Sequence, residues 1–268
     1  MKRLLTVTIF LFASLLYSQT KYDINNLIDK DGLKYAPNDD KPYTGRVFDS
    51  YDNGQKMLNG RYRKGLMNGH WMYYYENGQI RFQGRFINGD GSYPDDYPDS
   101  LKYLPFGGRN GKWTTWYENG QKFYKGTYKD GKLDGLWTWW YENGQKRSEV
   151  TFKDEERNGL QTWWYENGQK GYEGTFKDAK SNGQYTRWYK SGVKMFEGEY
   201  RNDLLITDKG WKPNGQLNET NVVNGTGKVV DYYETGQKKY EGTFKDGEEI
   251  SNECWDKDGN EMDCSELY

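Results

Sequence analysis

A five-residue phrase, Tyr-Glu-Asn-Gly-Gln, recurs along the chain with a period of 24 residues. Intact copies begin at Tyr75, Tyr117, Tyr141 and Tyr165, and looser copies begin at Tyr51, Tyr189 and Tyr233. The turn glycines are Gly54, Gly78, Gly120, Gly144, Gly168, Gly192, Gly215, Gly236 and Gly259. A fixed period of this length predicts a repeat architecture in which each unit packs against its neighbours.

One glycine spacing, 42 residues between Gly78 and Gly120, exceeds the period by 18 residues. We therefore expect an insertion at residues 90–107 within an array that spans residues 45–250. Asp31-Gly32 marks a degenerate first copy over residues 19–44, and residues 251–268 form a C-terminal hairpin. Four aromatic residues make the insertion a candidate for partner recognition: Tyr93, Tyr97, Tyr103 and Phe106.

Each copy is predicted to be one β-hairpin. Asn-Gly between two apolar runs is typical of a two-residue type I′ turn, because both central residues need positive φ. A second turn, such as Lys129 to Lys132, reverses the chain again. The sequence therefore predicts an all-β fold: an elongated antiparallel β-meander of about ten tandem hairpins that forms a single twisted sheet.

The composition requires an unusual core. Leu, Ile, Val and Phe make up 44 of the 268 residues, about 16%. Trp, Tyr and Phe are 18% of the chain, alanine occurs three times, and the net charge is only -2. Few alanines and many β-formers exclude helical bundles and α/β layers. The aromatic content and the low net charge also argue against disorder, so we expect an aromatic core.

The turn predicts which side chains share a face of the sheet. With Asn143-Gly144 as the two loop residues, Tyr141 faces Lys146, Trp139 faces Ser148 and Trp137 faces Val150. In other copies Trp113 faces Gly126 and Trp71 faces Gly84, so a ring can lie over the bare backbone of the neighbouring strand. We expect this face to be the packed one.

The opposite face carries a second aromatic column, which we call the outer ladder. Its members are Tyr74, Trp116, Trp140, Trp164, Trp188, Trp211, Tyr232 and Trp255. Two interpretations stay open. The rings stack along the sheet and are shielded by its twist, or they form an aromatic contact strip for a partner.

Residues 1–18 have the features of a signal peptide. Lys2 and Arg3 precede an uncharged stretch from Leu4 to Leu16, and the small Ser18 precedes the expected cleavage site. Thirteen residues are too few for the roughly 20 that span a bilayer, which argues against an integral membrane span. The remaining chain has net charge -4 without a basic block, so we expect no nucleic-acid partner. The predicted location is exported: periplasmic, outer-surface-associated or secreted.

Two cysteines, Cys254 and Cys264, flank the turn Asp258-Gly259-Asn260. A three-residue loop there would place them directly opposite each other and allow a disulfide, as expected in an oxidising compartment. With a two-residue loop they would be offset and could stay reduced.

Residues with catalytic potential are scarce. The single histidine, His70, has Lys112, Leu136, Leu160 and Gln184 as counterparts in other copies, which indicates a surface strand position. The repeated glutamates near the turns favour cross-strand charge roles over acid–base pairs. Asp90, Asp95, Asp96 and Asp99 could bind Ca²⁺, but their spacing does not match an EF-hand and favours a solvated loop. We therefore predict no catalytic residues, no metal site, no cofactor and no enzymatic activity.

The repeated unit W-x-x-W-Y-E-N-G-Q-K followed by G-x-Y/F-K-D-G resembles the MORN-repeat variant of bacterial YwqK-family antitoxins. The resemblance extends from about Gly32 to Gly259. It implies an array of hairpins that serves as an interaction scaffold without a catalytic site.

Three functions follow as hypotheses. The first is an exported scaffold for protein–protein interaction. The second is a glycan-binding or cell-envelope-binding aromatic array, similar to choline-binding cell-wall repeats. The third is an antitoxin-like role, although an export signal does not suit a protein that must meet a cytoplasmic toxin.

Overall fold

A computed structural model describes residues 21–92 and 107–267, and within that part of the chain it contains strands and short 3-10 turns but no α-helix. The strands before the insertion are β1 Tyr22–Asp23, β2 Ile28–Lys30, β3 Leu33–Tyr35, β4 Gly45–Ser50, β5 Lys56–Arg63, β6 Leu66–Tyr74 and β7 Ile80–Gly89. Those that follow are β8 Arg109–Trp116, β9 Lys122–Lys129, β10 Lys132–Trp140, β11 Lys146–Lys153, β12 Glu156–Trp164, β13 Lys170–Lys177 and β14 Lys180–Trp188. The last are β15 Lys194–Arg201, β16 Leu204–Trp211, β17 Leu217–Val223, β18 Thr226–Tyr232, β19 Lys238–Lys245, β20 Glu248–Trp255 and β21 Glu261–Met262. Among the described residues, 3-10 turns are formed by Ile24–Asn26 and Cys264–Leu267.

The main sheet confirms the predicted meander. From β4 to β21 each strand pairs antiparallel with the next, and β1 pairs in parallel with β4. Together they form one open sheet of 19 strands, while β2 and β3 form a separate hairpin. The strands that flank the insertion, β7 and β8, are direct neighbours.

The Tyr-Glu-Asn-Gly-Gln turn differs from the prediction. The Tyr141 amide donates to the Gln145 carbonyl over 2.8 Å, the Gly144 amide donates to the Tyr141 carbonyl over 2.9 Å, and only Gly144 of the Asn-Gly pair has a positive φ, 83°. These bonds define a three-residue loop with a left-handed glycine rather than a two-residue type I′ turn. Trp140 therefore pairs with Lys146, and the prediction that Tyr141 faces Lys146 is wrong.

A β-bulge restores the predicted register beyond this turn. The register shifts between Trp139 and Trp140, because one extra residue on β11 has no partner on β10. Trp139 then pairs with Ser148 and Trp137 pairs with Val150, as predicted. The three-residue loop and the bulge offset each other, so the faces of the sheet are assigned correctly.

Contacts between successive turns explain why the five-residue phrase repeats. The Tyr141 hydroxyl donates to the Trp164 carbonyl over 2.7 Å, and the Asn143 side-chain amide donates to the Glu166 carbonyl over 2.9 Å. Equivalent tyrosine contacts join Tyr51 to Tyr74, Tyr75 to Trp116, Tyr117 to Trp140, Tyr165 to Trp188, Tyr189 to Trp211 and Tyr233 to Trp255. The phrase is thus a stacking device that fastens each turn to the next.

A two-residue type I′ turn lies at the other end of the strands from the Tyr-Glu-Asn-Gly-Gln turn. Lys129 pairs with Lys132, and the two residues between them, Asp130 and Gly131, have φ of 50° and 83°. At the same turn position Ala179 has a φ of 65°. A side chain in this left-handed region costs roughly 1–2 kcal/mol relative to glycine, so the turn carries local strain there.

The inner face buries tryptophan against glycine, although the ring leans to the other side from the one expected. Trp113 pairs with Gly126 on the following strand, yet its ring lies over Gly84 on the preceding strand. Likewise, a Cβ atom added to Gly126 would lie 2.1 Å from Cδ2 of Trp137. Trp71, Trp113 and Trp137 are at most 2% exposed, which confirms that this is the packed face.

The inner face contains two hydrophobic clusters. The larger one runs from Val47 to Trp137 and is partly covered by the N-terminal residues Tyr22, Ile24 and Leu27. The smaller one, in the C-terminal half, consists of Tyr185, Phe196, Leu205 and Val222, with further rings packed against it. Between the two clusters, Gln161 stands where earlier copies have tryptophan, and its buried Oε1 has no partner among the described residues.

The first prediction concerns the glycine under a tryptophan ring. Gly126→Val should lower the free energy of unfolding by about 3 kcal/mol, because the new side chain would occupy the space of the Trp137 ring. Chemical denaturation measures the change. The natural Val150–Gln161 pair supplies the control, since Gly126→Val combined with Trp137→Gln should recover part of the loss. An unchanged stability in the single variant would show that the ring is free to move away.

The second prediction concerns the type I′ turns. Gly131→Ala should lower the free energy of unfolding by about 1 kcal/mol, because φ is 83° there while the position of the new Cβ has no atom within 4 Å. Ala179→Gly should change stability in the opposite direction by a similar amount, since it relieves the same strain. Thermal and urea unfolding of both variants test the pair, and a shift of the same sign in both would contradict the assignment of the turn.

Candidate functional site

The outer ladder is a column of half-buried rings interleaved with lysines. Its members are intermediate in exposure except Tyr232, which is 7% exposed. Lys146 is paired with Trp140, and its ammonium lies 5.5 Å from the ring centroid of Trp164 in the next copy. The same contact joins Lys56 to Tyr74, Lys122 to Trp140, Lys170 to Trp188, Lys194 to Trp211, Lys212 to Tyr232 and Lys238 to Trp255, at 5.0 to 5.7 Å.

A glutamate holds each of several ladder lysines in place. Lys146 Nζ lies 2.7 Å from Glu149, and Lys170 Nζ lies 2.6 Å from Glu173. The hydroxyl of Thr162 also contacts Glu173, at 3.5 Å. The outer face therefore carries a regular network of ring, ammonium and carboxylate, in which the lysines occupy ring faces that a partner would otherwise contact.

The two other predicted features are the recognition insertion and the disulfide. The insertion residues Tyr93, Tyr97, Tyr103 and Phe106 lie outside the described residues. Cys254 and Cys264 form a disulfide with a Cα–Cα distance of 5.2 Å. Their geometry corrects the prediction, because Asp256 and Asn260 close a loop of residues 257–259 and Cys254 pairs with Met262. Cys264 lies two residues further along, in the 3-10 turn, and reaches Cys254 from there.

A cleft opens on the inner face where the repeat loses its core tryptophan. The position seven residues before the turn glycine holds tryptophan at 71, 113 and 137, and then Gln161, Tyr185, Asp208, Val229 and Asn252. Smaller side chains leave space there, and the spacing of the turn glycines also falls from 24 residues to 23 and then 21 between Gly192 and Gly236. A cavity of about 520 Å³ fills this space, within the range of ligand sites.

The cleft is lined by apolar, charged and phenolic side chains. Its lining comprises Tyr172, Ser181, Tyr185, Arg187, Phe196, Tyr200, Leu205, Asp208, Val229, Asp231, Lys239, Tyr240, Phe244, Glu249 and Leu267. Asp208 and Asp231 are 6% and 8% exposed, whereas Arg187 and Glu249 are exposed. Lys239 Nζ lies 3.9 Å from Asp231, and the Tyr240 hydroxyl donates to Glu249 over 2.6 Å.

Burial governs the protonation of the cleft. Desolvation raises the pKa of Asp208 to about 7, although the Tyr185 hydroxyl, the Lys209 amide and the charge of Arg187 act in the opposite direction. Desolvation also raises the pKa of Asp231, against the charges of Lys239 and Arg187. The pKa of Tyr200 rises to about 12, chiefly through burial. The cleft thus holds a carboxyl group that changes charge near neutral pH.

These cleft residues were not identified in the sequence, although a signal for them exists there. Asp208 is a carboxyl group in a column occupied by tryptophan in three earlier copies. Asp231 and Arg187 lie five residues before their turn glycines, where other copies have Tyr73, Trp139 or Trp163. A comparison of copies column by column would have singled out these polar residues at predicted core positions.

Other kinds of site are not found in the described part of the chain. Within residues 21–92 and 107–267, no three His, Cys, Asp or Glu residues are grouped so as to hold a metal ion. The same residues include no helix that is long and apolar enough to cross a membrane.

Solved structures give only remote matches. They include a TcdB2–TccC3 complex at 12% identity and a TM-score of 0.21, the complex TcdB2–TccC3–Cdc42 at 11% and 0.19, and a Photorhabdus luminescens Tc holotoxin pore at 11% and 0.20. Each match covers 85% of this chain but only 14% of the matched chain. Similarity at these TM-scores carries no inference about fold or function. No curated protein sequence matches the chain.

The family comparison is specific to the repeat. The model of the MORN repeat variant matches residues 67–88, 109–130, 133–154, 157–178 and 226–246. Each of these segments begins at or near the start of the strand that precedes a turn, and it includes one complete Tyr-Glu-Asn-Gly-Gln-type turn. Together with the period and the open meander, the matches identify the chain as a protein built from MORN-variant repeats.

Proposed function

We propose that this chain is an exported, non-enzymatic scaffold whose inner face binds another protein. The observation that carries the proposal is the cleft of about 520 Å³ in the C-terminal half of the array. Tyrosine and arginine, which dominate the binding energy of many protein interfaces, line its walls above an apolar floor. The cleft places the polar side chains of Asp208 and Asp231 at positions that are apolar in several other copies.

The outer ladder supports a protein partner over a glycan. Sugar rings stack on open aromatic faces, whereas lysine ammonium groups lie 5.0 to 5.7 Å from seven of the eight ladder centroids. A glycan would have to displace these lysines and lose their cation–π contacts. We therefore assign the ladder to repeat stacking and place recognition on the inner face.

Export and the lack of catalysis belong to the same proposal. Lys2, Arg3 and the apolar stretch that follows favour secretion, and the Cys254–Cys264 disulfide suits an oxidising compartment. The outer ladder and the turn contacts are repeated from copy to copy and suit a structural role better than a reaction centre. An antitoxin-like role would require a cytoplasmic toxin, so export argues against it.

Affinity capture from cell-envelope extracts, followed by mass spectrometry, tests this function. The wild-type chain should recover a defined protein, and Asp208→Trp should lose it because the large indole side chain would occupy the cleft that Asp208 lines. Ala179→Gly, at the type I′ turn between β13 and β14, is the matched control and should retain the partner.

A deletion variant separates the cleft from the insertion. Removing residues 90–107 restores the 24-residue period and leaves Asn88-Gly89 at the position of Asp130-Gly131, with Asn88 already at a φ of 51°. Loss of the partner only in this variant would move the interface to the insertion. Retention of the chain on peptidoglycan or polysaccharide, weakened by Trp140→Ala and Trp164→Ala, would instead overturn the protein-scaffold function.

A further inference from the structure

The cleft has a charge imbalance that a ligand would correct. Three carboxylates, Asp208, Asp231 and Glu249, face two cations, Arg187 and Lys239. Lys239 is directed to Asp231, and the Tyr240 hydroxyl binds Glu249. Among the described residues, no ammonium or guanidinium group lies within 4.0 Å of the Asp208 carboxylate. Asp208 is therefore the buried group of the cleft that lacks a close counter-charge.

The surroundings of Asp208 fit a long cationic side chain. Its paired neighbours on the adjacent strands are Gly198 and Val222, neither of which carries charge. Phe196 and Val229 supply apolar surface for a methylene stem, and the phenols of Tyr185 and Tyr200 lie near the Asp208 carboxyl. A carboxylate between phenol rings is the arrangement that recognises an ammonium or guanidinium group through charge-assisted hydrogen bonds and cation–π contacts.

We propose that the cleft receives a lysine or arginine side chain of the partner protein, with its cationic head on Asp208 and its stem on Phe196 and Val229. This inference rests on the proposed interaction function and names the chemistry of that same surface. Arg187 and Lys239 then lie at the sides of the cleft, where both stabilise Asp231, while Arg187 acts on Asp208 without a close ion pair. The backbone of the partner segment lies along the open face of the cleft, beside Glu249.

The proposal includes a dependence on pH. The groups that face the Asp208 carboxyl are Tyr185 and Arg187 on β14 and Tyr200 on β15, while β17 contributes the apolar Val222. Tyr185 and Tyr200 have raised pKa values and stay neutral, whereas burial raises the pKa of Asp208 to about 7 and also raises the pKa of Asp231. A cationic side chain should bind above that pH and be released as Asp208 takes up a proton.

Binding of short peptides to the full chain tests the inference. The probe is acetyl-Gly-Arg-Gly-amide, and its isosteric control contains citrulline, which keeps the shape of arginine without the charge. At pH 8 the arginine peptide should bind at least tenfold more tightly than the citrulline peptide, and its affinity should fall about tenfold at pH 5.5. Amide chemical shifts of Asp208 and Asp231 report binding at the site.

Variants keep the test independent of folding. Asp208→Asn removes a charge that burial disfavours, so it should fold at least as well as the wild type at pH 8 while losing the preference for arginine and its pH dependence. Glu76→Gln, at an exposed turn in the other half of the array, should bind as the wild type does. Equal binding of the two peptides, an unchanged preference in Asp208→Asn, or binding of an N-acetylglucosamine trisaccharide in their place would each overturn the proposal. Because capture of a partner is measured separately, that partner could still bind without a basic side chain, and the two failures are distinguishable.

Discussion

Close contact between a tryptophan ring and the bare backbone of a glycine makes this thin sheet stable. A one-layer sheet has no second layer against which to bury side chains, so its core must form between neighbouring strands. The ring of Trp137 lies over Gly126, on a strand that a side chain would have kept at a distance. Each such ring is then flanked by others, as in the edge-to-face contact of Tyr128 with Trp137. Burial of large rings can thus replace the aliphatic core that the composition lacks.

This contact between ring and glycine also accounts for some of the sequence differences between copies. At Gly60, Gly84 and Gly126 the preceding strand has glycine and the next strand carries tryptophan, whereas Gly174 and Gly242 pair with Tyr185 and Asn252. Where the preceding strand has Val150 instead, the partner position is Gln161, whose ring-free side chain avoids the valine but leaves one buried oxygen unpaired. Further along, Gly198 pairs with Asp208 rather than with a tryptophan, and a Cβ atom added to Gly198 would lie 2.9 Å from Cε1 of Tyr185 on the preceding strand. The cleft thus forms where two core columns carry smaller or polar residues and where the spacing of the turn glycines falls from 24 residues to 23, 21 and 23.

The sequence predicted the features that depend on the period and missed those that depend on local backbone geometry. The meander, the pairing of Trp137 with Val150 and the burial of that face follow from alternation, which is the same in every copy. The type of the Asn-Gly turn was predicted wrongly, because Asn-Gly is compatible with both a type I′ turn and a three-residue loop with a left-handed glycine. The predicted register of the two cysteines was wrong for a similar reason, because the position of the loop pairs Cys254 with Met262 rather than with Cys264. Asp208 was overlooked because a shared pattern directs attention to what the copies have in common.

A repeat array can accommodate a polar cleft because its stability is local. Each copy contacts mainly its neighbours, so the loss of core burial around Asp208 is confined to a few strands. Tyrosine contacts between the turns are present on both sides of the cleft, through Tyr165, Tyr189 and Tyr233, although Lys212 replaces the tyrosine in the copy between the last two. At the C-terminal end, where β20 is largely exposed, the disulfide constrains the last hairpin and contributes roughly 2–4 kcal/mol. The turns and the disulfide thus supply stability that the inner face loses around the cleft. The side chains of the inner face can therefore differ in chemistry from copy to copy.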